Sequence, residues 1–135
     1  MLGALAFQHI GGLAPCTMCI WQRYPHVIAI GIGLVALLLP GRILPLLGML
    51  AALTTAGIGV YHTGVERGWW EGPGTCTSGD IGALTPDELF EQIMTAPLVR
   101  CDEVPWEMFG LSMASWNAVA SLCLAALWLM AARRG

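Results

Sequence analysis

Charge is scarce in this sequence. Only 11% of its 135 residues are Asp, Glu, Lys or Arg, against roughly 25% in an ordinary soluble domain. With 56% hydrophobic residues and a mean hydropathy of +0.68, that shortage excludes a self-solvating globule and places the chain in a lipid bilayer. No nucleic acid is expected among its partners. The shortage is uneven along the chain. Residues 43–61 and 111–132 hold no charged side chain, and at about 1.5 Å per helical residue each can cross roughly 30 Å of hydrocarbon. A third run, 20–39, is apolar after Arg23 and stops at Pro40-Gly41-Arg42, a helix-ending turn into the next span. Residues 20–61 thus read as a helical hairpin.

Residues 1–13 are apolar but reach only about 20 Å as helix, too short to span alone. They lack the basic n-region of a signal peptide and read as the outer end of a first helix that is truncated in this sequence. The expected fold is an all-α integral membrane protein. It is one membrane domain, 1–135, a bundle of four transmembrane helices (1–13, 20–39, 43–61 and 111–132) with loops at 14–19 and 62–110. Alternation puts both loops on one membrane face. All nine acidic residues fall between Glu66 and Glu107, so the long loop between helices 3 and 4 is a solvated acidic cap. Arginines do not decide the orientation, because Arg23, Arg67 and Arg100 on one face balance Arg42, Arg133 and Arg134 on the other. Paired loop thiols do: they belong on the oxidising, extracytoplasmic side. Within the long loop, Thr85-Pro86-Asp87-Glu88 has the pattern of a helix start with a capping box. Leu89, Phe90, Ile93 and Met94 follow at helical spacing, an apolar face for the loop's own core, the bilayer surface or a partner.

Four of the five cysteines lie in these loops. Cys16-Thr17-Met18-Cys19 has the spacing of redox exchange, zinc binding or haem attachment. Haem attachment would need His at position 20, which is Ile. Structural zinc favours two close pairs, whereas Cys76 and Cys101 are far apart in the long loop. Cys19 sits near a helix start with Arg23 one turn later on the same face, and both features stabilise a thiolate. Cys76 and Cys101 could simply staple the long loop. His62 ends the third segment on the cysteine face, where its imidazole could donate to a ligand carbonyl. His9 and His26 read as interfacial polar residues. Trp69, Trp70, Trp106 and Trp116 flank the membrane-facing ends as an aromatic belt, and Cys123 reads as an inert mid-span residue.

Phe7-Gln8-His9 followed by Pro15-Cys16-Thr17-Met18-Cys19-Ile20-Trp21-Gln22-Arg23 resembles the first-loop signature of the DsbB family of disulfide-forming, quinone-reducing membrane proteins. Tyr61-His62-Thr63 and the run from Cys101 through Pro105-Trp106 and Phe109-Gly110-Leu111-Ser112-Met113 to Trp116 extend the match over nearly the whole chain. The resemblance implies a multi-pass protein of the bacterial inner membrane with its cysteine loops in the periplasm. It also assigns roles. A reduced DsbA-like thioredoxin-fold partner attacks Cys76 of a Cys76–Cys101 disulfide, Cys101 exchanges with Cys16, and Cys19 is the thiolate facing ubiquinone or menaquinone. Arg23 stabilises that thiolate and binds the quinone, and His62, Met113 and Trp106 match positions around the quinone site. No metal is expected. Energetics fit a coupled pair. Structural staples lie below about −300 mV and a DsbA-type oxidant near about −120 mV, so a staple alone would work uphill by roughly 8 kcal/mol. Coupling to a quinone removes that barrier.

Three other readings compete with the quinone-dependent dithiol oxidase. A zinc-stabilised membrane adaptor would hold the metal on all four loop cysteines. A vitamin-K-epoxide-reductase-like enzyme would carry its Cys-x-x-Cys near the last helix, which here has only Cys123. A transporter would show buried charges or paired broken helices, and the spans carry no charge beyond Arg23.

Overall fold

The computed structural model describes residues 1–74, 85–95 and 99–134. Cys76 lies outside them. The chain runs α1 (Leu2–His9), α2 (Thr17–Leu38), α3 (Ile43–Glu66), α4 (Pro86–Thr95), β1 (Glu107–Met108), β2 (Leu111–Ser112) and α5 (Met113–Arg134). Among the described residues, α2, α3 and α5 are the three helices long and apolar enough to cross a membrane. The mostly helical, membrane-spanning class expected from the sequence is thus present, with one small antiparallel hairpin added to it.

Small side chains decide how the helices pack. α3 buries Pro45, Gly48, Ala52, Thr55, Ala56, Gly59 and His62, a stripe at spacings of three and four that follows one helix face. Facing it, α5 buries Ala114, Ser115, Ala118, Ser121 and Ala125. α3 is the central helix, packed on both α2 and α5. In lipid, apolar burial does not drive helices together, so close backbone approach through small residues takes its place. Gly59 shows how close: a Cβ there would sit 3.1 Å from both the Ala114 carbonyl oxygen and the Ala118 Cβ. The bulky residues point outward. Ile28, Leu34, Leu37, Leu50 and Leu127 are all exposed, the surface a bilayer would solvate.

Helix ends follow local chemistry. α2 closes at the Pro40-Gly41 turn, where Gly41 takes φ 151, and α3 restarts at once. α3 runs past the expected end of the span at Tyr61 and includes Glu66, so the first charge of the loop in the sequence is the last residue of a helix. The capping box of α4 forms as expected, with the Thr85 N–H donating to Glu88 Oε2 at 2.9 Å and the Glu88 N–H returning to Thr85 Oγ1 at 3.4 Å. Phe90, Ile93 and Met94 stay exposed, which disfavours packing of that face on the loop's own core. Phe109 and Gly110 both have positive φ, the two-residue turn that matches strand twist, and this hairpin delivers the chain to the start of α5.

Candidate functional site

The start of α2, the end of α3 and the start of α5 meet at one end of the bundle, around a cavity of about 340 Å³. Cys16, Cys19, Arg23, His62, Trp106 and Met113 all line it. Cys101 lies behind Cys16: the donor atoms of Cys16, His62 and Cys101 fall within 4.8 Å of one another, and all three residues are buried. Cys16, Met18, Val65 and Cys101 form a small apolar cluster, with Cys19 and Val99 against it.

Cys16 is the N-cap of α2. Its backbone is extended (φ −75, ψ 168), which lets its sulfur accept the Cys19 N–H at 3.2 Å at the positive end of the helix dipole. The two sulfurs are 2.7 Å apart. The hydrogen shared with Cys19, and then burial, push the Cys16 thiol above its ordinary range. In the reduced pair, therefore, Cys16 keeps the hydrogen and Cys19 takes the anionic role. Arg23 follows one turn after Cys19, and its Nη1 donates to Gln8 Oε1 at 2.6 Å. Phe7 packs its ring 4.9 Å from that of Trp106. α1 thus forms one wall of the cavity through Gly3, Ala4 and Phe7, while Gln8 holds Arg23.

His62 is not at a helix end. Because α3 continues to Glu66, the imidazole is 3% exposed and held between helices. Gln22 Nε2 donates to His62 Nδ1 at 2.8 Å, while His62 Nε2 lies 3.7 Å from Cys16 Sγ and 3.8 Å from Glu66 Oε1. His26 is likewise interior in its contacts: it lines the cavity and its Nε2 donates to Asn117 Oδ1 at 2.9 Å. The interfacial reading of His26 is therefore corrected, since a partner on α5 satisfies it inside the bundle. Of the tryptophans read as an aromatic belt, Trp106 and Trp116 also line the cavity. Cys123 is exposed, away from the other sulfurs.

Sequence reasoning gave no role to Gln22, Asn117, Glu66 or Gln8. Cys19, Gln22 and His26 share one helix face by spacing, and Asn117 is the chain's single asparagine, within an uncharged span. A polar group inside a span signals a constrained interior, but its partners depend on tertiary packing. Glu66 was grouped with the acidic loop, yet its side chain is 3% exposed and accepts a hydrogen bond from Ser112 Oγ.

The family model described as "Disulfide bond formation protein DsbB" matches residues 1–131. A disulfide bond formation protein B of Pasteurella multocida is 32% identical, covering 97% of this chain and 79% of the relative. One of Albidiferax ferrireducens is 34% identical over 98% of this chain and 84% of its own, and one of Shewanella sp. MR-4 is 35% identical over 87% and 70%. No solved structure matches the chain significantly. The three apolar membrane-length helices, the cysteine-lined cavity at their end and these relatives lead to one assignment: the chain belongs to the DsbB family of disulfide bond formation proteins, multi-pass membrane thiol oxidoreductases.

Proposed function

We propose that this protein is a quinone-dependent oxidase of protein dithiols, which reoxidises a periplasmic DsbA-like thioredoxin-fold protein by disulfide exchange and passes the electrons to membrane ubiquinone or menaquinone. The observation that carries this reading is the convergence of Cys16, Cys19, Arg23 and His62 on one cavity with Cys101 directly behind. The cavity suits a quinone ring. Phe7, Leu13, Pro15, Trp106 and Met113 give it apolar walls, Arg23 brings a guanidinium to the same wall, and its volume falls within the usual range of small-molecule sites, roughly 300–1,000 Å³. When bound, a quinone supplies a sink for two electrons and two protons.

The protein's own residues do the rest. The partner's thiolate opens the Cys76–Cys101 disulfide at Cys76, and the Cys101 thiolate attacks Cys16 of a Cys16–Cys19 disulfide. Cys19 leaves as a thiolate at a helix N-terminus, close to Arg23, where positive charge stabilises it. Arg23, tethered by Gln8, orients an acceptor carbonyl, and Trp106 and Met113 exclude water from the exchange. On this reading the four-helix bundle has α1 as the outer part of its first helix. The cysteine end faces the periplasm of a bacterial inner membrane, with the acidic loop around it.

One observation favours a second reading. The buried donors of Cys16, His62 and Cys101 are close enough to hold a soft ion, as a zinc-stabilised adaptor would require. A visible absorption spectrum with added ubiquinone separates the two. The oxidase predicts a thiolate-dependent band in Cys16→Ser that is lost when Cys19→Ser or Arg23→Ala is introduced. Stoichiometric zinc that protects the loop thiols, with no such band, would favour the adaptor.

A further inference from the structure

A continuous line of side-chain hydrogen bonds crosses the bundle interior from α5 to the cysteine pair, and its polarity can be worked out from one fixed point. Thr55 Oγ1 donates to the backbone carbonyl of Gln22 at 2.9 Å, and a carbonyl can only accept. The Thr55 hydroxyl must therefore act as acceptor toward Asn117 Nδ2, 3.2 Å away. Asn117 then presents its NH₂ to Gln22 Oε1 at 2.8 Å and its oxygen to His26. With its oxygen committed to Asn117, Gln22 turns its own NH₂ to His62 Nδ1. Nδ1 must then carry a lone pair, so the neutral imidazole carries its hydrogen on Nε2, the nitrogen that faces Cys16 Sγ at 3.7 Å and Glu66 Oε1 at 3.8 Å, in an imidazole that also hydrogen-bonds the Cys101 backbone. Gln22, Thr55 and His62 are all at least nine-tenths buried, and Thr55 is fully so. Buried polar groups in a bundle interior persist when they are hydrogen-bonded, and here each of these side chains has a partner.

We propose that Gln22 and Asn117 are positioning residues that hold His62 as its Nε2–H tautomer and aim that hydrogen at the Cys16 sulfur. The consequence rests on the thiol-exchange reading above. When a thiolate attacks Cys101 of a Cys16–Cys101 disulfide, that sulfur–sulfur bond breaks, Cys101 joins the attacking sulfur in a new disulfide, and the electron pair departs on Cys16 Sγ. No net oxidation occurs in this step. Cys16 is buried and its thiolate is disfavoured there, so it is a poor leaving group unaided. The His62 Nε2–H hydrogen bond stabilises the departing charge, leaving Cys16 placed to close on Cys19 when the quinone of the proposed function takes up the two electrons that this second disulfide releases. Neither amide touches the reacting sulfurs. They act through the orientation and tautomer of His62, as partners of an imidazole commonly do.

The test is nitrogen NMR of the imidazoles in lipid-embedded protein, with His62 assigned by its loss in His62→Asn. The wild type should show His62 in the Nε2–H form, and Gln22→Met or Asn117→Leu should give a mixture of tautomers. Turnover should fall on the order of tenfold in Gln22→Met, the scale of one hydrogen bond to a charged group, with KM for the dithiol partner unchanged. In a His62→Ala background Gln22→Met should have no further effect. An Nδ1–H tautomer in the wild type would overturn the proposal, as would an equal loss of turnover from Gln22→Met in the His62→Ala background. If the Gln22 variant does not fold, the wild-type tautomer decides alone. Because the tautomer is read without turnover, a missing quinone-dependent activity would count against the functional reading and not against this one.

Discussion

Two sulfurs 2.7 Å apart divide their labour because their surroundings differ by one helical turn. Cys16 caps the helix and is nearly fully buried, while Cys19 sits inside it with Arg23 one turn further. Cys19→Ser should abolish turnover, whereas Cys16→Ser should still bind quinone and give the thiolate-dependent band, a contrast read in the visible spectrum. Gln8 offers a graded test of Arg23. Gln8→Ala removes the 2.6 Å tether without the charge, and KM for quinone should rise several-fold, about the worth of one charge-assisted hydrogen bond. Arg23→Ala should raise it further. A Gln8 variant with unchanged KM would mean that Arg23 is positioned without α1. Cys16, Cys19 and Arg23 were legible in the sequence because their chemistry lies within two turns of one helix. The Gln22–Asn117 contact joins α2 to α5, and the burial of Glu66 depends on where α5 begins. Neither spacing nor residue type in one segment carries that information.

At the scale of elements, the α3 face of small residues carries the packing. Gly59→Leu would place a side chain where even a Cβ meets Ala114 and Ala118 at 3.1 Å, destabilising the bundle by about 1–3 kcal/mol, measurable as a lower thermal midpoint in detergent. Gly57, with nothing within 4 Å of an added Cβ, is the control, and Gly57→Leu should be nearly neutral. The segment around Cys101 is held differently. Arg100 Nε donates to Asp102 Oδ1 at 2.9 Å and holds the Asp102 carboxyl below the usual range. That depressed group contributes order at pH values above its ordinary pKa of about 3.9, and the contribution is lost as pH falls through the lower, folded value. Exposure of both side chains keeps it small. Asp102→Asn should make proteolysis after Arg100 faster at neutral pH and remove the acid dependence. The three long helices could be placed from uncharged runs alone, yet the end of α3 could not. The expected span stopped at Tyr61, before the polar His62, and it takes Ser112 to show that Glu66 turns inward.

For the whole molecule, the distribution of side chains is the reverse of a soluble protein's: glycine, alanine and serine inside, leucine and isoleucine outside, with a hydrogen-bonded polar interior leading to the sulfurs. That arrangement was legible as composition, since so little charge cannot solvate a globule. Its purpose was legible only through the cysteines and the family they match. On the proposed function, the polar interior would give the bundle a dry place to exchange disulfides beside a ligand drawn from the bilayer. The most direct measurement is quinol yield under anaerobic conditions, with purified protein in lipid, ubiquinone, and a reduced DsbA-like dithiol protein. One quinol is expected for each disulfide formed in the partner, over many turnovers, and none with Cys19→Ser. Partner oxidation without quinol, or full yield from Cys19→Ser, would contradict it.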